Sequence, residues 1–263
     1  MNQLNLPKLG LGTYLLTGKD AQKTVEAAYE IGYRHFDTAT FYENEEWIGK
    51  ALKGVKREGF QITTKVWNED MGYHSALNAF DRSLNKLQID YVDLYLIHWP
   101  DPKGLILETL EAIHSLKEKG RIRHYGVSNF TIRHLRDVKE AGFKVSANQV
   151  EYHPYLNQED LLDYCLNEAI QLIAYSPLAR GELSSDPLLG KIGQKYGKTI
   201  AQIALRWLLE KDIIAIPKTQ QTLRLKENID LFDFDMTSEE VAQINRLNRG
   251  YRITDPDCGD FDY

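Results

Sequence analysis

The sequence repeats one unit along most of its length: a short apolar run typical of a β-strand, then a stretch with amphipathic helical periodicity. Residues 94–97 (Leu-Tyr-Leu-Ile) form one such run, and residues 200–208 place apolar side chains at i, i+3, i+4, i+7 and i+8. About eight units alternate at fairly even spacing, which predicts parallel strands joined by crossover helices. In a chain of 263 residues this pattern predicts a closed (β/α)8 barrel of the TIM type, with an open doubly wound sheet as the alternative. No linker or shift in composition interrupts the pattern, so residues 1–263 are expected to form a single domain.

Composition and charge exclude several other classes of protein. Hydrophobic residues make up 43% and charged residues 27% of the chain, which is typical of a soluble globular protein. The net charge of −6 disfavours nucleic acid and anionic membranes as partners, and no apolar run approaches membrane-spanning length. Cys165 and Cys258 are the only cysteines, too few for a disulfide framework or a multi-cysteine metal site. We find no signal peptide in residues 1–16, so a cytoplasmic protein is expected.

Polar side chains stand where four of the strand-like runs end. Asp37, Lys65, His98 and Ser128 each close an apolar run, and Tyr42 lies in the short loop that follows Asp37. The carboxyl ends of the strands in a β/α barrel meet at one rim, which is where such barrels build their sites. We therefore expect these side chains to converge.

The set of residue types points to carbonyl reduction. Tyrosine titrates near pH ~10, so it is a reluctant acid at neutral pH, and a nearby ammonium lowers its pKa. Lys65 would supply that ammonium, and Asp37 would keep Lys65 charged and in place. Tyr42 could then act as a general acid while His98 binds and orients the carbonyl oxygen. Such a set suits hydride transfer to a carbonyl, in which negative charge develops on oxygen.

Taken alone, each of these residues has a plainer interpretation. An aspartate at a strand end is usually a turn or cap residue, and a lone tyrosine usually packs with its hydroxyl in water. Lys65 is harder to explain in this way because lysine is almost never fully buried without a partner. The shared position at strand ends favours the catalytic interpretation. His98 alone does not supply the clustered ligands that a metal-dependent barrel hydrolase needs, so no metal site is expected.

The sequence disfavours a Rossmann-type loop as the site that holds the hydride source. No Gly-x-Gly-x-x-Gly follows a strand, and the pair at Gly10 and Gly12 lacks the third glycine. Hydroxyl and amide groups at successive strand ends could instead bind a carboxamide, and an aromatic ring at the next strand end could stack on a flat ring. These side chains are Ser128, Asn129, Gln149 and Tyr175.

Basic residues follow the last strand. Lys218, Thr219 and Arg224 suit a phosphate monoester at a helix start, and the alternative is a solvated helix face.

These motifs together resemble the aldo-keto reductase family nearly end to end. The matching segments are residues 10–14 (Gly-Leu-Gly-Thr-Tyr), 32–39 with Tyr42, 64–67 (Thr-Lys-Val-Trp), 90–100, 126–130, 148–149, 174–178, and 216–218 with Arg224, Glu227 and Asn228. The resemblance implies a β/α barrel with extra helices and an NADPH-dependent carbonyl reductase.

The resemblance also implies a role for each matching residue. The catalytic residues would be Asp37, Tyr42, Lys65 and His98. The residues that bind NADPH or NADP+ would be Gly12, Thr13, Asp37, Ser128, Asn129, Gln149, Tyr175, Ser176, Pro177, Leu178, Lys218, Thr219, Arg224, Glu227 and Asn228. Within that set, residues 176–178 would run under the pyrophosphate, residues 218, 219 and 224 would hold the 2′-phosphate, and residues 227 and 228 the adenine. The substrate pocket would be lined by Tyr14, Trp67, His98 and Trp99.

Departures from the family pattern bear on the substrate. The N-terminal hairpin that covers the barrel floor in relatives is shortened to a few residues before Pro7, and the segment after His98 is brief. Thr219 stands where many relatives have serine. Loops over the rim decide what fits, so short loops predict a pocket open on one side. The compact form is similar to microbial 2,5-diketogluconate and methylglyoxal reductases. It favours small polar aldehydes, α-dicarbonyls or keto sugars as the small-molecule carbonyl substrate.

A second function stays open at this point. Some members of such a family are non-catalytic regulatory or structural proteins on the same NADPH-binding barrel. All four catalytic positions are filled here, which favours the enzyme. Nothing in the sequence marks an interface, so a monomer is expected.

Overall fold

The strands of the computed structural model, which describes residues 4–101 and 103–263, form one sheet of eight parallel strands whose order follows the chain. The strands are β1 (Leu11–Gly12), β2 (His35–Asp37), β3 (Gln61–Val66), β4 (Val92–Ile97), β5 (Ile122–Ser128), β6 (Ala147–Glu151), β7 (Gln171–Tyr175) and β8 (Ile214–Ala215). The last strand returns to the first: Gly10 N donates to Ala215 O at 2.9 Å, and Ala215 N donates to Lys8 O at 3.0 Å. The sheet is therefore closed. This confirms the predicted (β/α)8 barrel, because a doubly wound sheet would keep two open edges and reverse its strand order.

Helices connect successive strands and surround the barrel. They are α1 (Gly18–Ile31), α2 (Glu45–Ala51), α3 (Tyr73–Leu87), α4 (Ile106–Glu118), α5 (Ile132–Glu140), α6 (Glu159–Asn167), α7 (Pro187–Tyr196), α8 (Ile200–Glu210), α9 (Thr222–Ile229) and α10 (Ser238–Asn245). A simple barrel has one helix for each strand, and α7 and α10 are the additional helices that were predicted. Within the described ranges, no helix combines the length and the apolar character needed to cross a membrane.

Local sequence explains where several helices begin. A capping box opens α10: Glu240 N donates to Thr237 Oγ1 at 3.2 Å, and the Glu240 carboxylate accepts from Thr237 N at 2.9 Å. Thr199 and Gln202 form the same arrangement at the start of α8. Each box satisfies backbone N–H groups that the first turn of a helix leaves without partners.

Side chains that point into the barrel follow the two-residue period of a strand. Leu94, Leu96, Ala147, Ile173 and Ile214 pack together in this interior, whereas their outward-facing neighbours pack against the helices. The interior cluster also contains a residue from the chain start, Leu6.

The predicted shortened N-terminal hairpin falls on the residues before Pro7. Met1, Asn2 and Gln3 lie outside the described residues. Residues 4–7 form no strand or helix, and the buried Leu6 packs against the interior cluster at the barrel floor.

Residues 250–263 lack regular secondary structure yet are held to the barrel by hydrogen bonds. The carboxylate of Glu151, at the end of β6, accepts the backbone N–H groups of Ile253 and Thr254 at 2.8 Å each. His153 Nε2 lies 2.9 Å from the same carboxylate, and both side chains are fully buried. Tyr263 Oη donates to Asp137 at 2.7 Å. These contacts place the tail at the rim where the strands end.

Candidate active site

Four ionisable side chains meet at the carboxyl-terminal rim of the barrel. Asp37 is the last residue of β2, Lys65 lies near the end of β3, and His98 directly follows β4. Tyr42 ends a single 3-10 turn, Thr40–Tyr42, after β2. Lys65 Nζ lies 2.6 Å from Asp37 Oδ1 and 3.4 Å from Tyr42 Oη, and the rings of Tyr42 and His98 lie 5.5 Å apart between centroids. The structure thus brings together four of the residues that the sequence predicts to converge.

Lys65 is a fully buried ammonium with its hydrogen bonds satisfied. Its side chain is 0% exposed and that of Asp37 is 2% exposed. Besides Asp37 Oδ1, Nζ donates to Thr38 O at 2.9 Å. Burial lowers the pKa of Lys65 below its ordinary value, and the adjacent Asp37 carboxylate opposes that shift. A buried ammonium without this carboxylate would be strongly disfavoured.

The environment of Tyr42 corrects one expectation from the sequence. We expected the Lys65 ammonium to lower the pKa of Tyr42, but burial raises that pKa well above its ordinary value, and the charge of Asp37 raises it further. A phenolate here would lose its hydration and face a carboxylate, while the positive charge of Lys65 is already balanced by Asp37. Tyr42 is therefore a protonated phenol at neutral pH, which is the form that a proton donor needs.

His98 is a neutral imidazole at neutral pH. Burial lowers the pKa of His98 well below its ordinary value, and the positive charge of Lys65 lowers it further. Its Nδ1 atom is buried and has no hydrogen-bond partner among the described residues. A neutral ring can donate one hydrogen bond to a carbonyl oxygen without adding a charge to the site.

The groups expected to bind a carboxamide form a connected hydrogen-bond network. Asn129 Nδ2 donates to Ser128 Oγ at 3.1 Å and to His98 O at 3.0 Å, and Tyr175 Oη donates to Asn129 Oδ1 at 2.8 Å. Ser128 Oγ donates to the backbone oxygen of Gln149 at 2.8 Å. The Ser128, Asn129 and Gln149 side chains are buried at the rim, and the Tyr175 ring lies beside them at the end of β7. This donor set, beside an aromatic ring, fits a carboxamide on a flat ring such as nicotinamide.

The basic residues lie beyond β8, at the same end of the barrel. Lys218 and Arg224 form no ion pair with a carboxylate within residues 4–101 and 103–263, and Thr219 is buried beside them. Arg224 lies in the first turn of α9. Two unpaired cations near a helix start fit a phosphate group. Among the residues expected near the adenine, Glu227 accepts from Thr199 Oγ1 at 2.6 Å and Asn228 is buried.

The remaining predicted cofactor residues lie at the end of β1 and in the turns that follow β1 and β7. A Cβ on Gly12 would lie 2.7 Å from Ile216 O, so the barrel seam itself requires glycine there. Thr13 Oγ1 donates to Asp37 O at 2.8 Å. Ser176, with φ of 47°, begins the turn that also contains Pro177 and Leu178. Their cofactor roles stay predictions.

Aromatic rings surround the four ionisable residues. Tyr14 lies 5.1 Å from the Tyr42 ring, Trp67 lies 5.2 Å from the His98 ring, and Trp99 is buried directly after His98. The sequence analysis missed Phe41 and Phe261. Phe41 stacks on Trp67 at 4.0 Å and is 48% exposed, and Phe261 meets Trp99 edge to face at 5.9 Å. The position of Phe41 next to Tyr42 could have revealed it, whereas nothing local places Phe261 at the rim.

Asn44 is a third residue that the sequence did not point to. It is fully buried, donates from Nδ2 to Thr13 O at 2.8 Å and to Leu16 O at 3.0 Å, and accepts from Thr38 Oγ1 at 2.6 Å. These bonds tie the loop that carries Tyr42 to the loop after β1. In sequence Asn44 looks only like a cap of α2, although its side chain makes no capping bond there.

No group of three or more histidine, cysteine, aspartate or glutamate side chains suited to a metal ion occurs in the described part of the chain.

Comparison with known proteins identifies the family. The sequence model of the Aldo/keto reductase family matches residues 8–249. The chain is 45% identical over 256 residues to glyoxal reductase of Bacillus subtilis (strain 168), covering 96% of this chain and 92% of that protein. It is 43% identical over 254 residues to methylglyoxal reductase DkgA of Yersinia pestis, covering 94% and 91%.

A solved structure gives the same result. The crystal structure of a Bombyx mori aldo-keto reductase in complex with NADP superposes with a TM-score of 0.89 at 37% identity, covering 97% of this chain and 94% of that one. These findings confirm the resemblance to compact microbial reductases and the predicted oxidoreductase class. The chain belongs to the aldo/keto reductase family.

Proposed function

We propose that this protein reduces small aldehydes and α-dicarbonyls to alcohols with NADPH, and that Tyr42 is the proton donor. The observation that carries the proposal is the Tyr42 hydroxyl 3.4 Å from a buried ammonium whose charge is balanced by Asp37. His98 lies beside both as a neutral hydrogen-bond donor. The alternative of a non-catalytic protein has no observation in its favour, since all four positions are filled and in contact range.

NADPH fits the polar groups at the rim and supplies a hydride when bound. Ser128, Asn129 and Gln149 would bind its carboxamide, with Tyr175 against the nicotinamide ring. The 2′-phosphate would be held by the basic residues after β8, which favours NADPH over NADH. The NADP complex of the Bombyx mori relative supports this choice.

The side chains of this chain act on the carbonyl oxygen. Tyr42 Oη and His98 would donate hydrogen bonds to it and so fix the carbonyl carbon for hydride attack. Negative charge develops on that oxygen as the hydride arrives, and an alkoxide is a far stronger base than a phenolate. Tyr42 then transfers its proton to the oxygen, the product leaves as the alcohol, and the phenol regains a proton from solvent. Lys65 stabilises the transient phenolate, and Asp37 holds Lys65 in place.

The rim favours a compact, planar substrate. Exposed rings of Tyr14 and Phe41 border the mouth, and Trp99 with Phe261 closes it on the side of the tail. The glyoxal and methylglyoxal reductases among the relatives support an α-dicarbonyl. We also propose that the protein acts as a monomer, since the four proposed catalytic residues contact one another within a single chain. Both cysteines are free, which suits a reducing compartment such as the cytoplasm.

Substitution of Tyr42 by phenylalanine tests the proposal. The loss of a positioned general acid should lower kcat for methylglyoxal by about 10²- to 10⁴-fold, while the Kd for NADPH stays within about twofold. Tyr33→Phe is the matched control, because Tyr33 is buried outside the barrel and its hydroxyl donates only to Leu225 O at 3.0 Å. Turnover by Tyr42→Phe equal to that of Tyr33→Phe would remove Tyr42 from the role of acid.

A further inference from the structure

Gln149 connects two parts of the site that lie on opposite walls of the barrel. It belongs to β6, whereas Asp37 belongs to β2, four strands away in the closed sheet. Gln149 Nε2 nevertheless donates to Asp37 Oδ2 at 2.7 Å, across a sequence separation of 112 residues. Both residues are only 1% exposed. The bond therefore spans the centre of the barrel, out of reach of water.

The Asp37 carboxylate is held by one donor on each oxygen. Oδ1 accepts from Lys65 Nζ at 2.6 Å, and Oδ2 accepts from Gln149 Nε2. Because an ionised carboxylate only accepts, the amide nitrogen of Gln149 must face Asp37, and Oε1 is the one acceptor left on that side chain. Any rotation of the Gln149 amide would leave a buried carboxylate oxygen without a partner, which is costly. Gln149 thus fixes the orientation of Asp37, and Asp37 fixes Lys65.

The other end of Gln149 meets the groups that fit a carboxamide. Its backbone oxygen accepts from Ser128 Oγ at 2.8 Å and from Asn129 N at 2.9 Å. A single residue therefore contacts both the proposed nicotinamide pocket and the Asp37–Lys65 pair. Binding residues that serve affinity alone do not need this second contact.

We propose that Gln149 is a positioning residue for the chemical step: through Asp37 it holds Lys65 at the Tyr42 hydroxyl, in addition to any contact with the cofactor. The inference rests on the proposed function and extends it. It requires that loss of the Gln149 amide slows turnover even when NADPH is saturating. A residue that contributed only to cofactor affinity would give the opposite pattern, with Kd raised and kcat retained.

Two substitutions test this role in different ways. Gln149→Met keeps the length and volume of the side chain but removes the donor to Asp37. Gln149→Glu replaces the amide by a carboxyl that can donate to Asp37 Oδ2 only while it is protonated. Two carboxyls that share a site cannot both ionise easily, so the pKa of the introduced carboxyl is raised. Its nearest ionisable group is Asp37, and the ionisable groups that interact electrostatically with Asp37 or Lys65 are His35, Tyr42, Glu45 and His98.

The pH dependence of kcat at saturating NADPH is the decisive measurement. Gln149→Met should lower kcat by about 10- to 100-fold at every pH, the size expected for one hydrogen bond to a charged group. Gln149→Glu should approach the wild-type kcat near pH ~5 and lose it as the introduced carboxyl ionises at higher pH. A purely structural role of residue 149 would not produce a loss that reverses with protonation.

Gln202→Glu is the matched control. Gln202 lies on the outer helix α8 and is also buried, and its Nε2 donates to Asp230 O at 2.8 Å and to Asp230 Oδ2 at 3.2 Å. This substitution should change thermal stability but leave kcat and its pH profile as in the wild type. If Gln149→Met keeps kcat within about twofold at saturating NADPH while Kd rises, the positioning role is wrong. That result would leave the proposed function intact, whereas full turnover by Tyr42→Phe would overturn the function itself.

Discussion

Removal of the Lys65 ammonium should destabilise the protein far more than removal of a surface lysine in an ion pair of the same length. In Lys65→Met the Asp37 carboxylate keeps its burial but loses its counter-charge. Its side chain is 2% exposed, so water cannot replace the lost partner. Breaking a buried pair on one side costs about 3–5 kcal/mol, because an uncompensated charge remains in a medium of low polarity.

A second substitution separates this cause from simple loss of packing. In the double variant Asp37→Asn/Lys65→Met no buried charge remains, and the introduced amide can still accept from Gln149. The second change should therefore restore about 2 kcal/mol or more of the free energy of unfolding lost in Lys65→Met.

Surface ion pairs should contribute much less to stability. Lys50 and Glu46 also lie 2.6 Å apart, but their side chains are 36% and 57% exposed, so Lys50→Met should cost about 0.5 kcal/mol or less.

Urea unfolding followed by tryptophan fluorescence gives the free energies, and thermal melting gives an independent scale. For a chain of this size each kcal/mol moves Tm by about 2–4 °C, so Lys65→Met should melt about 10 °C below Lys50→Met. Equal stability of the two single variants would contradict this explanation. A further loss of stability when Asp37→Asn is added to Lys65→Met would also contradict it, because the cost could not then come from an unpaired carboxylate.

Three more predictions follow from the geometry. Arg224→Ala should weaken NADPH binding about tenfold or more and have little effect on NADH binding, as measured by fluorescence titration. Equal weakening of the binding of both cofactors would mean that the 2′-phosphate binds elsewhere. His35 is buried beside Thr63, and burial lowers its pKa to about 4. Between pH 4 and the ordinary histidine pKa of 6.5, the imidazole of His35 is therefore neutral in the folded protein but protonated in the unfolded chain. Stability should therefore fall as pH drops through that window, by about 3 kcal/mol from this residue, and His35→Gln should flatten the stability–pH curve there. Gly49→Ala should destabilise the protein by about 1–3 kcal/mol in the same unfolding assay, because the added Cβ would lie 2.5 Å from Leu87 O. An unchanged free energy of unfolding would mean that α2 can shift away from α3.

The sequence predicted those features that rest on local pattern. Strand and helix periodicity led to the barrel, and a polar residue at a strand end is a local signal, so Asp37, Lys65 and His98 could be assigned to one rim. The family and the reductase class are confirmed by the comparisons. The roles of individual site residues, and the single-domain organisation of residues 1–263, stay predictions.

Features that depend on contacts between distant residues could not be predicted. Nothing near Phe261 shows that it packs on Trp99, and nothing near Glu151 shows that it binds the backbone of residues 253–254. The pKa of Tyr42 was misjudged for the same reason. The direction of the Tyr42 pKa shift depends on how completely the fold excludes water from the hydroxyl and on how far Asp37 neutralises the charge of Lys65. Neither quantity can be obtained from the types of the neighbouring residues alone.

Closure of the barrel through the chain start has a consequence for synthesis on the ribosome. Lys8 and Asp212, which form an ion pair beside the β1–β8 seam, are 204 positions apart. Until β8 emerges, a growing polypeptide carries two sheet edges with unpaired N–H and C=O groups, one on β1 and one on β7. Such edges can pair with other nascent chains. We therefore expect the barrel of this protein to close only after β8 has left the ribosome.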